Sequence, residues 1–111
     1  MNRRFVARAP ARLDVMGGIA DYSGSLVLEL PLRESTRVVL EREDSERLTL
    51  ASTGRPEFAI PLADLDRSYE SARAYFGREP SRAWAAYVAG AFVVLKREKG
   101  AVFPGGARVA I

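Results

Sequence analysis

The sequence predicts an α/β domain, in the α+β sense, with a mixed and mostly antiparallel sheet and two helices packed on it. Three features predict this fold: short alternating apolar runs in the first half, two stretches with helical spacing after them, and an apolar run at the end. The chain has 111 residues, 48% of them hydrophobic, which suits one domain, or one piece of a domain, with a single core.

The N-terminal stretch predicts two short strands that are interrupted at Pro10. Apolar and charged residues alternate on both sides of this proline, and proline cannot donate a hydrogen bond to a ladder. The following segment Ile19–Ser25 contains turn-forming Asp, Ser and Gly residues and predicts a loop.

Four further strands are predicted between residues 26 and 62. The first is expected to end at Pro31, and Asp44-Ser45-Glu46 is expected to connect the second and third strands as a hairpin. The corresponding sequences are LVLELPL (26–32), STRVVLERE (35–43), RLTLAST (47–53) and EFAIPL (57–62).

The first helix is predicted within LADLDRSYESARAYFG, residues 62–77. Apolar residues recur there at helical spacing, and Gly77 is a suitable end. The second helix is predicted within residues 80–100, with Ser81 as its N-cap and Gly100 as its left-handed terminal residue. Its expected buried stripe consists of Trp84, Tyr87, Val88, Ala91, Phe92 and Leu95.

The last segment, GGARVAI, predicts a turn that leads into a strand. A terminal apolar strand would leave an exposed sheet edge, which folded domains avoid. We therefore expect the chain to be cut inside a larger domain, although a native C-terminal strand is the alternative.

Composition excludes several classes of active site. The chain has no cysteine and no histidine, so it contains no Ser-His-Asp triad, no Cys-His pair and no His-ligated zinc. We expect no protein-held metal. The formal net charge is +3, but the arginines are scattered, which is weak evidence for nucleic-acid binding. No signal peptide or membrane-spanning stretch is recognisable, and a cytoplasmic location is expected.

The richest motif is RLDVMGGIADYSG, which begins at Arg12. A strand delivers Arg12, which can neutralise a phosphate, and the pair Gly17-Gly18 lets the backbone approach a ligand. Asp21 on the following loop can accept hydrogen bonds from sugar hydroxyls. The alternative is a tight turn in which Asp21 caps the backbone and Arg12 is solvated.

This motif resembles the N-terminal motif of galactokinases, A-P-G-R-V-N-L-I-G-E-H-T-D-Y-N, in the GHMP superfamily of small-molecule kinases. Residues 9–23 read APARLDVMGGIADYS in the same frame. LVLELPL stands where the family has L-V-L-P-M-A-L, and WAAYVAG matches the family's W-x-x-Y-V-x-G helix. The resemblance implies the ribosomal protein S5 domain 2-like fold of the GHMP kinase N-terminal domain, with residues 1–111 as its N-terminal, truncated part.

The resemblance also implies a sugar site. Arg12 takes the place of the arginine beside the transferring phosphate, and Asp21, followed by Tyr22, takes the place of the residue that binds sugar hydroxyls. Gly18 and Ile19 stand where galactokinases have the Glu-His pair near the sugar C6 hydroxyl. Because L-arabinose is galactose without the C6 hydroxymethyl group, this departure favours the L-arabinokinase branch.

The resemblance further implies an ATP-dependent sugar 1-kinase, with ATP and Mg²⁺, acting on the anomeric hydroxyl of L-arabinose or a galactose-like sugar. Trp84 and Tyr87 resemble the helix residues near the adenine pocket, although core packing also explains them. The family's Gly/Ser-rich phosphate loop and catalytic aspartate do not occur in this chain. The fragment alone is therefore expected to be inactive, and the remainder of the kinase chain is expected to pack on it.

Two other functions remain open at this point. One is a basic β-rich RNA-binding module, which the scattered arginines and the buried-looking aromatic stripe disfavour. The other is a catalytically decayed GHMP-like interaction domain, for which the change at Gly18 and Ile19 would be a sign of decay. We expect a sugar and ATP as partners, and neither nucleic acid nor a membrane.

Overall fold

The computed structural model of the chain describes residues 3–17 and 23–111. This part contains, in order, β1 (Arg4–Met16), β2 (Leu28–Glu43), β3 (Arg47–Ala51), β4 (Phe58–Pro61), α1 (Tyr69–Gly77), α2 (Ala83–Lys99) and β5 (Gly106–Ala110). The described residues form two compact units. The first combines the residues up to Phe5 with Val39–Ile111, and the second is Val6–Val38.

The five strands form one sheet in the order β1-β2-β5-β3-β4. β5 is antiparallel to β2, with Val109 opposite Leu40, and parallel to β3, with Val109 opposite Leu50. β3 and β4 are antiparallel. The predicted fold class, a mixed and mostly antiparallel sheet with two helices, is confirmed.

The predicted hairpin at Asp44-Ser45-Glu46 is wrong, because β5 lies between β2 and β3. Gly106 of β5 reaches the bend itself, where its N–H donates to the Ser45 carbonyl at 2.6 Å. A Cβ on Gly106 would lie 2.1 Å from Ser45 Oγ and 2.5 Å from the Arg47 carbonyl oxygen. A glycine is therefore required where β5 approaches the bend this closely.

The last strand is not at an edge of the sheet. β5 is paired on both sides, and Ala107 and Val109 are buried. The terminal strand therefore leaves no exposed edge and gives no support to the expected cut inside a larger domain, which stays a prediction.

Neither proline interrupts its strand as expected. β1 continues through Pro10 and β2 continues through Pro31. β1 stands at one end of the strand order, where a missing N–H on the open side removes no ladder bond. The described register pairs β5 with Val39–Glu43 of β2, so Pro31 lies on a stretch without β5 beside it.

The buried face of α2 differs from the predicted stripe. Ala85, Ala89 and Val93 are its buried residues, whereas Tyr87 is 89% exposed and Leu95 is 45% exposed. The prediction gave weight to the large apolar side chains, but the small alanines face the core. The buried apolar core consists of Leu48, Leu50, Ile60, Leu65, Phe76, Ala85, Ala89, Val93, Ala107 and Val109.

The helix ends are partly as predicted. α1 ends at Gly77, and Ser68 caps its beginning by accepting the Ser71 N–H at 3.1 Å. Gly100, with φ of 62°, ends α2 in the left-handed conformation, as predicted. Ser81 is not an N-cap, because it lies inside a 3₁₀ turn, Pro80–Arg82, that leads directly into α2.

None of the helices in the described ranges is long and apolar enough to cross a membrane.

The burial pattern makes a direct prediction for two leucines. Leu50→Ala should lower the free energy of unfolding by about 2–5 kcal/mol, because it leaves a cavity in a fully buried site. Leu26→Ala, at a fully exposed leucine, should change it by about 0.5 kcal/mol or less. Urea unfolding of the purified chain measures both, and equal effects at the two sites would contradict the packing described here.

Candidate functional site

Arg12 lies on β1 and is held by a carboxylate on β2. Its Nη1 donates a hydrogen bond to Glu29 Oε2 at 2.7 Å. The Arg12 side chain is 64% exposed and that of Glu29 is 24% exposed. Arg12 is therefore accessible, but it is not simply solvated as the turn alternative assumed.

A second arginine shows how the two strands are aligned. Arg8 Nε donates to Ser35 Oγ at 2.7 Å, and Arg8 Nη2 donates to the Arg33 carbonyl at 3.1 Å. Residue numbers on β2 fall as those on β1 rise, from Arg8 with Ser35 to Arg12 with Glu29, so the strands are antiparallel. Arg8 and Arg12 are four residues apart on a strand and share one face.

Gly17 of the motif lies against Val27, the residue just before β2. A Cβ at this position would lie 2.7 Å from Val27 Cγ1, 2.8 Å from Val27 Cβ and 3.1 Å from Asp14 Oδ1. A side chain at this position would displace the side chain of Val27. The sequence suggested that this glycine admits a ligand, but in the structure it admits Val27.

The other predicted sugar-site residues, Gly18, Ile19, Asp21 and Tyr22, lie outside the described residues. Their assignment stays a prediction that rests on the motif.

An open hollow of about 440 Å³, called here the α1–α2 hollow, lies between the two helices. Its walls are mainly apolar. They consist of Tyr69, Ala72, Arg73, Phe76, Gly77, Ala83, Ala86, Tyr87, Gly90, Val93 and Val94. Its volume falls within the roughly 300–1,000 Å³ of small-molecule sites.

Tyr69 joins the two helices beside the hollow. Its hydroxyl donates a hydrogen bond to Glu98, and this bond raises the pKa of Tyr69 above its ordinary value. The Arg97 guanidinium lies 5.3 Å from the centre of the Tyr69 ring. Arg97 also donates to the Arg67 carbonyl at 3.1 Å. Tyr69 is therefore a neutral hydrogen-bond donor at physiological pH, held in place by its neighbours.

Trp84 and Tyr87 occupy different environments on α2. Tyr87 is exposed and lines the hollow, whereas Trp84 is largely buried and is not part of its wall. The Trp84 Nε1 atom is buried and has no hydrogen-bond partner in residues 3–17 and 23–111. Core packing therefore explains Trp84 but not Tyr87, and the structure does not bring the two rings into this one hollow.

A further charged pair, which the sequence did not single out, links β5 to the segment before β4. Arg108 Nη2 donates to Glu57 Oε2 at 2.6 Å, and this hydrogen bond holds the pKa of Glu57 below its ordinary value. Both groups are at the surface, where such pairs contribute little to stability.

The described part of the chain contains no group of three or more acidic side chains that could hold a metal ion.

Comparison with known proteins finds a relative in sequence and a relative in structure. The chain is 41% identical to L-arabinokinase of Arabidopsis thaliana over an alignment of 131 residues, which covers 89% of this chain. Its fold matches the crystal structure of Lactococcus lactis galactokinase complexed with galactose, with a TM-score of 0.71 over 96% of this chain and 20% sequence identity. No family model matches the chain.

The chain spans 13% of the length of the L-arabinokinase and 25% of the length of the galactokinase chain. Both comparisons confirm the resemblance to galactokinase and L-arabinokinase that the motif predicts. The structural match also confirms the predicted fold, which this chain shares with the matched part of the galactokinase.

Proposed function

We propose that this chain is the N-terminal part of the N-terminal domain of an ATP-dependent sugar 1-kinase, located in the cytoplasm. The observation that carries the proposal is the 41% identity to L-arabinokinase over nearly the whole chain. The galactokinase-like fold supports it independently of the sequence. Neither comparison favours the RNA-binding or the decayed alternative.

The proposed substrate is L-arabinose, or a galactose-like sugar, phosphorylated at its anomeric hydroxyl. The Asp21 carboxylate and the neighbouring Tyr22 would bind sugar hydroxyls. Gly18 and Ile19 offer no polar side chain for a C6 hydroxyl, so a sugar without that group is not penalised by an unpaired partner. The likeness to L-arabinokinase agrees with this choice.

In the proposed mechanism Arg12 neutralises charge on the phosphoryl group during its transfer. A guanidinium has five N–H donors, and the bond to Glu29 is made through Nη1. The exposed remainder of the side chain is available to an anion, which suits a reaction that depends on positioning and charge neutralisation. In this mechanism ATP would supply the phosphoryl group, and Mg²⁺ would accompany its phosphates.

We propose that Tyr87 contacts the adenine and that Trp84 has a supporting role in the same helix. The exposed Tyr87 ring on the wall of the α1–α2 hollow is suited to stacking on a flat base. Trp84 would support the helix from within, since it is largely buried.

The rest of the kinase chain is the proposed occupant of an apolar surface on the second unit. Leu13 and Val15 on β1, with Leu28 and Leu30 on β2, are each about half exposed and form what we call the apolar hairpin face. They alternate with Arg12 and Glu29, whose contact places these two on the opposite face. Three quarters of the matched galactokinase chain lies outside the matched part, which is ample chain to cover this face.

The first test is enzymatic. The full-length protein should consume ATP in the presence of L-arabinose, and Arg12→Ala should lower kcat by about 10²–10³-fold, because a donor to the transferring group is lost. Arg8→Ala, on the same face of β1, is the matched control and should retain activity. The 111-residue chain alone should show no turnover.

Two outcomes would contradict this assignment. Sugar-dependent ATP consumption by the 111-residue chain would refute its predicted inactivity. Absence of turnover by the full-length protein with L-arabinose, galactose and related sugars would refute the kinase function.

The second test concerns the adenine contact. Tyr87→Ala should weaken binding of a non-hydrolysable ATP analogue by about tenfold, the lower range for loss of one base-stacking ring. The melting temperature should hardly change, because Tyr87 is 89% exposed. Titration calorimetry on the full-length protein measures the affinity, with Leu95→Ala as the control. An unchanged affinity in Tyr87→Ala would show that the adenine does not contact Tyr87.

The third test concerns the apolar hairpin face. Leu13→Glu should lower the unfolding free energy of the full-length protein by about 2 kcal/mol or more, because it buries a charge under the covering chain. The same substitution in the 111-residue chain should cost much less, since Leu13 is half exposed there. Ser35→Glu, on the arginine face, should be tolerated in both. Equal effects of Leu13→Glu in the two lengths would show that the face stays uncovered.

A further inference from the structure

The partner of Arg12 is a departure from the galactokinase pattern. Glu29 occupies the fourth position of LVLELPL, where the family motif L-V-L-P-M-A-L has proline. A proline there could not pair with Arg12, because it carries no acidic side chain. This chain therefore places a carboxylate beside the arginine at a position where that motif has none.

The geometry of this pair differs from that of the other Arg–Glu pair between the same two strands. Arg12 Nη1 lies 2.7 Å from Glu29 Oε2, and the Glu29 side chain is 24% exposed. Arg4 Nε lies 3.6 Å from Glu41 Oε1, and both side chains are more than half exposed. A partly buried carboxylate that makes a short, charge-assisted bond has fewer alternative positions than an exposed one. Glu29 is thus the fixed member of the pair, and Arg12 is the member it orients.

We propose that Glu29 is a positioning residue for Arg12 in the phosphoryl transfer, acting through the guanidinium without contacting the sugar or the nucleotide. The bond at Nη1 fixes the direction of the guanidinium plane and leaves its other N–H donors for the phosphoryl group. The proposal rests on the proposed kinase function and on the role of Arg12 in it.

The negative charge of Glu29 has an opposing effect on the reaction, and an experiment distinguishes the two effects. A carboxylate next to a transferring phosphate repels it, so Glu29 could instead slow the reaction by occupying Arg12. If orientation dominates, removal of the charge slows turnover. If repulsion dominates, removal accelerates it.

The experiment uses the full-length protein and the variant Glu29→Gln, which keeps the length of the side chain and loses its charge. We expect kcat to fall about tenfold, as for loss of one charge-assisted bond, with KM for the sugar within about twofold of the parent. The melting temperature should hardly change, since the Gln amide oxygen can still accept the hydrogen bond from Arg12, whose side chain is 64% exposed. Glu41→Gln removes the carboxylate of the looser pair and should leave kcat and KM unchanged.

A double-variant cycle separates positioning from a general structural role. In an Arg12→Ala background, Glu29→Gln should cause no further loss of kcat, because Glu29 acts only through the arginine. Equal losses with and without Arg12 would overturn the proposal, as would an unchanged or increased kcat in Glu29→Gln alone. If Glu29→Gln folds poorly, Glu29→Asp, which keeps the charge, is expected to retain most of the activity; a full loss there would also overturn it.

Failure of the kinase function gives a different result. A parent protein with no sugar-dependent turnover overturns the proposed function and the role of Glu29 together. An active parent with unaffected Glu29 variants overturns the positioning role alone.

Discussion

The insertion of β5 between β2 and β3 is the constraint on which the first unit depends. Val109 faces Leu40 across one side of β5 and Leu50 across the other, so a short strand from the end of the sequence separates two strands that are neighbours along the chain. The arrangement requires the chain to pass a tight point at Gly106, where any side chain would meet Ser45 and Arg47. Local sequence signals at residues 44–46 favour a simple hairpin, and the burial of the Ala107 and Val109 side chains outweighs them.

The same contrast between local signals and long-range pairing explains what could be predicted from sequence. Apolar periodicity located both helices and each strand of the described residues, although it divided β1 and β2 into two strands each, and the left-handed terminal residue Gly100 follows from its residue type. The prolines misled, because their effect depends on which side of a strand is paired, and that is set by distant residues. The buried face of α2 was misjudged for a related reason: Ala85 and Ala89 carry little hydrophobic signal, yet their small size suits the contact with the core.

The candidate site was predictable to a different extent. Motif resemblance singled out Arg12 and its frame, together with Trp84 and Tyr87, but it could not separate Tyr87 from Trp84 because both lie on the same apolar pattern. The structure separates them by exposure. Glu29 was missed altogether, since a single acidic residue in a β-rich run has no distinguishing spacing. Its relation to Arg12 exists only through the pairing of two strands.

Some positions of the motif are set by the fold, whereas others affect only the candidate site. Gly17 is required by local packing, because the Val27 side chain fills the space that another side chain would need. Pro10 is tolerated because β1 stands at the end of the strand order. Such positions keep the frame of the resemblance whatever ligand is bound. Gly18, Ile19 and Glu29 are among the positions that differ from the galactokinase pattern, and under the proposed function they would change which groups meet the sugar and the phosphate. A departure in the frame would indicate a different fold, whereas departures at these side chains indicate the same fold with an altered site. The fold match at only 20% identity is what this division of roles leads one to expect.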